Sequence, residues 1–165
     1  MENLAEGDDG SEEELKRLFS DSYQYQALGE IDTGDPDALK HCKMWLASIL
    51  ERIEISKQRE DAVLLGTAYG DTGMAYMREN KDKEAIDSFQ LSLETLRNVE
   101  NPDKLDMTWP AVHLGCAYAI HNRGDEADTL LLDVLKNREE AFGKDDITSF
   151  EYVPRLIDYH IPLAC

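Results

Sequence analysis

The sequence predicts an all-α fold, an antiparallel helix-hairpin solenoid of about three helix pairs. Three observations carry that expectation. The chain repeats itself at a constant interval, apolar residues recur at helical spacing within each copy, and short polar turns separate the helical runs.

The interval is 42 residues. Gly73 and Gly115, Tyr76 and Tyr118, and Ala85 and Ala127 are separated by it, as are Phe89 and Leu131 and Leu93 and Leu135. Each copy reads as two helices. The first carries small–x–x–Tyr and runs into a polar turn, ENKDKE in one copy and HNRGDE in the other. The second opens at Ala85 or Ala127 and sets Ala85, Phe89, Leu93 and Leu96, or Ala127, Leu131, Val134 and Leu135, at helical spacing. A turn this short sends the second helix back antiparallel to the first. Gly73 and Gly115 omit a side chain where a neighbouring helix must come close, and Ala85 and Ala127 do the same from the opposite helix. Tyr76 and Tyr118 fill the space beside them.

Tyr76 stands nine residues before Ala85, and Tyr118 nine before Ala127. This pattern resembles the tetratricopeptide repeat, in which small–x–x–Tyr on one helix precedes Ala–x–x–x–Phe on the next by that step. The unit is longer than the family's usual length of about 34 residues. It is similar to the long kinesin-light-chain variety, in which each helix is extended by about a turn. The stretch LLLDVLKNREEAFGKDD, closed by Phe142 and Gly143, also resembles that variety's second helix and exit. Fungal proteins carrying the long repeat end their units in much the same way. The resemblance covers residues 62–147 and fades outside them.

The remaining elements follow from this frame. Residues 1–14 hold seven acids and no base, a composition that buries too little apolar surface to order itself, so 1–11 is expected to be a disordered acidic N-terminus. Residues 12–58 read as a degenerate first helix pair. Asp35 is the expected N-cap of its second helix, with Pro36 at the first helical position and Ala38, Cys42 and Trp45 at core steps. Residues 59–100 form the second repeat and 101–143 the third. In the third, Pro110 favours a helix that begins near Thr108, with Thr108 as its cap; a longer helix kinked at the proline is the alternative. Residues 144–165 read as an incomplete repeat or a C-terminal cap: Ile157 and His160 stand where the repeat requires Gly and Tyr, and Pro154 and Pro162 interrupt any helix. A truncated form of a longer chain would leave the same pattern.

Composition narrows the partners. A formal charge of −18 repels nucleic acid and anionic membrane surfaces, and leaves basic or amphipathic peptides open. No apolar stretch approaches the roughly 20 residues that span a bilayer, and the acidic N-terminus lacks the basic start and apolar run of a secretory signal, so no export is expected. Three cysteines, Cys42, Cys116 and Cys165, lack a disulfide framework, so reduced thiols in the cytoplasm are expected.

No catalytic constellation, metal site or cofactor site is expected. His113, Cys116 and His121 share one helix, but spacings of three and five put His121 on another face, and no carboxylate completes a zinc set. GTAYGDTG, residues 66–73, lacks both phosphate-loop orders; Gly66, Gly70 and Gly73 are instead a helical face that admits a close neighbour. Glu79 with Lys83 reads as an i,i+4 pair on a solvated face.

In tetratricopeptide arrays the first helices line a concave groove that receives a peptide or a partner's helix. Carried onto these repeats, the groove positions are Thr67, Gly70, Asp71, Met74, Met77 and Arg78, then Trp109, Val112, His113, Cys116, Ala119 and Ile120. Some apolar members could serve inter-repeat packing instead. The clamp by which chaperone co-factors of the family hold acidic tails needs Lys, Arg and Asn where Gly70, Met74, Val112 and Cys116 stand. The function this implies is a non-enzymatic adaptor with an apolar, acid-rimmed groove, and a stack this short is open to homo-oligomerisation. A regulatory or sensor fragment of a larger repeat protein is the alternative, as is an accessory factor in a biosynthetic pathway.

Overall fold

The computed structural model describes residues 9–56 and 59–143, and every regular element among them is a helix. The order is α1 (Asp9–Thr33), α2 (Ala38–Ser56), α3 (Arg59–Arg78), α4 (Asp82–Arg97), α5 (Thr108–Ile120) and α6 (Gly124–Phe142). The expected cap or partial repeat at 144–165 lies outside the described residues. α1 begins at Asp9, three residues inside the segment expected to be disordered; the positive end of a helix dipole accommodates acidic sequence of that kind.

Three turns are closed by one device. Asn80 and Asn122 take positive φ of 56° and 59°, and Gly34 takes 73°. After each, a backbone N–H reaches the carbonyl five residues back: Lys81 to Tyr76 at 2.9 Å, Arg123 to Tyr118 at 2.9 Å and Asp35 to Glu30 at 2.9 Å. The left-handed residue itself donates three residues back, to Met77, Ala119 and Ile31 respectively. This paired closure is the Schellman motif, which satisfies the last helical carbonyls and reverses the chain. The 42-residue interval is thus written into the backbone at the α3–α4 and α5–α6 turns, and the α1–α2 turn closes the same way. A cation covers the tyrosine at both equivalent turns, Lys81 at 6.0 Å from the Tyr76 ring and Arg123 at 3.8 Å from the Tyr118 ring.

The helix starts differ from expectation in two places. The Asp35 carboxylate accepts the Asp37 N–H at 2.9 Å, but the helix proper opens at Ala38, so Pro36 sits in the turn before it. Thr108 is the first residue of α5 and not its cap; Met107 precedes it in right-handed geometry, and the buried Thr108 hydroxyl has no hydrogen-bond partner among the described residues. The reason lies upstream, where the Asp103 carboxylate accepts the Leu105 N–H at 2.8 Å and winds the chain into the helix early. Glu79 pairs with Lys81 at 2.5 Å and not with Lys83, because α3 ends at Arg78 and the helical i,i+4 register is lost in the turn.

Each helix packs on the next, and α1 also touches α3 and α3 touches α5; among the described residues, α2 with α4 and α4 with α6 make no such contact. Glycines set the close approaches. A Cβ on Gly73 would fall 2.7 Å from the Phe89 ring, and one on Gly115 would fall 3.0 Å from the Leu131 side chain. These contacts are repeat equivalents, glycine on the first helix against the bulky residue on the second. Gly66 and Gly70, on the same face of α3, meet Leu96 of α4 and Trp109 of α5. Ala85 and Ala127 are buried, as are Phe89 and Tyr118, while Tyr76 and Leu131 are half-buried against the same core. Ser92 donates to the Gly66 carbonyl at 2.6 Å, and Gln90 to the Tyr118 hydroxyl at 2.8 Å, tying α4 to the helices on either side. A second cluster under α2 centres on Trp45, Ile49 and Ala68, and Arg52 pairs with buried Asp61 across the α2–α3 junction. Ala38 and Cys42, read from the degenerate pair, are buried in the main core.

Candidate functional site

A cleft of about 470 Å³ opens between α1, α3 and α5. From α3 it takes Thr67, Asp71, Met74 and Arg78, a single stripe at helical spacing. From α5 it takes Trp109, Pro110 and His113. α1 contributes Gln24, Leu28, Ile31 and Asp32, again one stripe, and Ser92, Leu96 and Asp106 complete the lining.

Its aromatic wall is Trp109 and His113, backed by Phe89. Trp109 stands edge-on to His113 with centroids 4.5 Å apart, His113 stacks on Phe89 at 5.8 Å, and Phe89 meets Trp109 edge-on at 6.4 Å. Such edge and offset arrangements follow the ring quadrupoles. The missing side chain at Gly70 gives Trp109 its seat: a Cβ there would lie 2.6 Å from the indole.

The charge of the cleft comes from Asp32, Asp71 and Asp106, with Arg78 the one cation among its described lining. Asp71 differs from the other two. It is only 4% exposed, whereas Asp32 and Asp106 face solvent. Among the described residues its Oδ2 has no hydrogen-bond partner. Burial, and then the Asp32 carboxylate, push its carboxyl from an ordinary 3.8 up to about 7. Cys42 packs beneath it, Sγ directed at the Asp71 carbonyl at 3.8 Å, and burial raises that thiol to about 12. Beside them, Glu30 and His41 hold each other at 2.5 Å.

Six of the twelve groove positions expected from sequence therefore meet in one place: Thr67, Asp71, Met74, Arg78, Trp109 and His113. Four do not. Val112 and Cys116 are 0% and 1% exposed and belong to the core, where burial lifts the Cys116 thiol to about 11. Met77 packs half-buried on that core, and Ile120 is exposed at the far end of α5, away from the cleft. The physical reason is that α5 is packed by α3, α4 and α6 at once, so residues on most of its circumference are covered. Of the other two family positions, Gly70 lies beneath Trp109 and Ala119 is exposed outside the cleft.

The α1 wall is the part that sequence reasoning missed. A signal was present, since Gln24, Leu28 and Ile31 follow i, i+4, i+7 spacing, but at the places equivalent to Gly73 and Tyr76 that helix carries Ala27 and Glu30. Among the described residues no cluster of three or more His, Cys, Asp or Glu side chains is placed to hold a metal, and no helix is long and apolar enough to cross a membrane. Compared with protein-family models, with curated proteins and with solved structures, the chain matches none.

Proposed function

We propose that this protein is a non-enzymatic adaptor that receives a partner's peptide or helix in the α1–α3–α5 cleft. The helices are read as a tetratricopeptide-like solenoid in which α1, α3 and α5 form the inner row. That reading is supported by the recurrence of the turn and of the glycine–bulky contact at 42 residues, and by odd helices touching where even ones do not. In a curved stack of hairpins the inner helices approach one another more closely than the outer ones.

The observation that carries the function is the lining itself: Leu28, Met74 and Trp109 supply apolar surface, and three aspartates supply charge of one sign. Pockets that take ligands combine apolar walls with a few placed polar groups. Methionine adapts to irregular surfaces, and aromatic anchors dominate binding energetics. The acid rim excludes acidic segments by repulsion and leaves basic or amphipathic ones as partners.

The test compares proteins captured from the native source by three baits. Leu28→Glu alters an exposed residue of the cleft, and Leu132→Glu alters one that is 64% exposed on α6, outside it. Partners held by the wild type and by Leu132→Glu are expected to be lost from Leu28→Glu. An identical set on all three baits would remove the cleft from the function.

A further inference from the structure

Asp71 is an unusual wall for an apolar cleft. Its side chain is more than nine-tenths buried, it lines the cleft together with Met74 and Trp109, and its solvent-shielded Oδ2 has no hydrogen-bond partner among the described residues. A buried carboxylate left without a donor costs stability, and such a group calls for a donor from outside. We propose that the occupant of the cleft delivers one Lys or Arg side chain to Asp71, flanked by apolar residues, so that the cleft selects amphipathic segments with a single buried cation. This rests on the groove reading above and adds its chemical specificity.

The chemistry favours a cation over a neutral donor. Asp32 and Asp106 lie in the same lining, so the potential there is negative from two directions. An ammonium or guanidinium meeting a carboxylate forms a charge-assisted bond, about twice as strong as a neutral one. The folded protein already holds Asp71 away from water, so the desolvation that opposes buried ion pairs falls on the incoming cation alone.

Binding of a cation at Asp71 also depends on pH. The groups around Asp71 are Glu30 and Asp32 on α1, His41 and Cys42 on α2, Arg78 on its own helix, Asp106 before α5 and His113 on α5; α4 presents Ser92. Burial and the Asp32 charge hold the Asp71 proton up to about pH 7, so a cation competes with that proton below neutrality and not above it. Affinity for a basic segment therefore rises through pH 7.

The experiment is selection from a phage-displayed library of random dodecapeptides, at about one unit above pH 7, against the full chain. The formal charge of −18 attracts basic peptides everywhere, so the pool is first depleted on Leu28→Glu, which leaves peptides that use the cleft. Asp71→Asn removes a buried charge without changing shape, and circular dichroism verifies its fold. The expected peptides carry one Lys or Arg between apolar residues. They should bind wild type about tenfold more tightly than Asp71→Asn, and lose most of that preference about one unit below pH 7. Peptides that Leu28→Glu abolishes but that show no basic residue, or that bind Asp71→Asn equally, would overturn the inference and leave the groove reading standing. Recovery of no peptide sensitive to Leu28→Glu would overturn both.

Discussion

Asp71→Asn should make the protein more stable, and by an amount that depends on pH. In the folded chain the Asp71 carboxyl retains its proton up to about pH 7, whereas its ordinary value is 3.8. Between those values the unfolded chain has released a proton that the folded chain still holds, so stability falls as pH rises. The loss is complete above about pH 7 and absent below about pH 4. The interval spans about three pH units, each worth about 1.4 kcal/mol, which places the full penalty near 4 kcal/mol. Asparagine keeps the shape and does not titrate. The assay is urea unfolding of both proteins at intervals from acid to mildly alkaline pH. Every other titrating group is common to the two, so the difference between the curves isolates Asp71. It should be near zero around pH 4, grow towards neutrality and level above pH 7. Two parallel curves would refute the burial argument, and with it the reason for assigning Asp71 a special place in the cleft.

Other outcomes follow from contacts already described. Gly73→Ala drives a methyl to 2.7 Å from the Phe89 ring and should cost about 1–3 kcal/mol by overpacking, read from thermal melts. Gly115→Ala meets a flexible leucine at 3.0 Å, so the gain in helix propensity of about 1 kcal/mol should largely cancel the crowding. Asn80→Ala and Asn122→Ala should each lose about 1–2 kcal/mol, while the glycine variants at the same positions should not, because both residues hold left-handed backbone. Cys42 and Cys116 should resist alkylation in the native protein and react only on unfolding, as peptide mapping would report, since burial lifts both thiols far above neutral pH.

Local rules and long-range packing contributed different parts of this molecule. The hairpin period, the helix-forming face of α4 and the small residues at close contacts were legible because they are local: Gly73 against Phe89 and Gly115 against Leu131 lie at the same separation within successive copies. Asn80 and Asn122 also stood at equivalent places, and the left-handed preference of asparagine is enough to suggest such a turn. The cleft-lining face of α5 was legible only in part, at Trp109 and His113. TWPAVHLGCAYAI is apolar nearly all round, so its periodicity distinguishes no exposed side, and Val112 and Cys116 could only be assigned once α3, α4 and α6 were in place.

Asp71 shows the division most sharply. In sequence it is one acid among 35 Asp and Glu residues, on a helix whose neighbours are small and polar. Its repeat-derived position makes it one of several groove candidates, and nothing nearby in the chain distinguishes it from a hydrated carboxylate. The elements that cover it come from elsewhere: Cys42 from α2 below, Asp32 from α1 beside it and the Trp109 wall from α5. Periodicity along one chain sets which residues share a face, because helical geometry is local. Whether that face meets water, another helix or an unfilled hollow depends on segments dozens of residues away, and that is decided only when they pack.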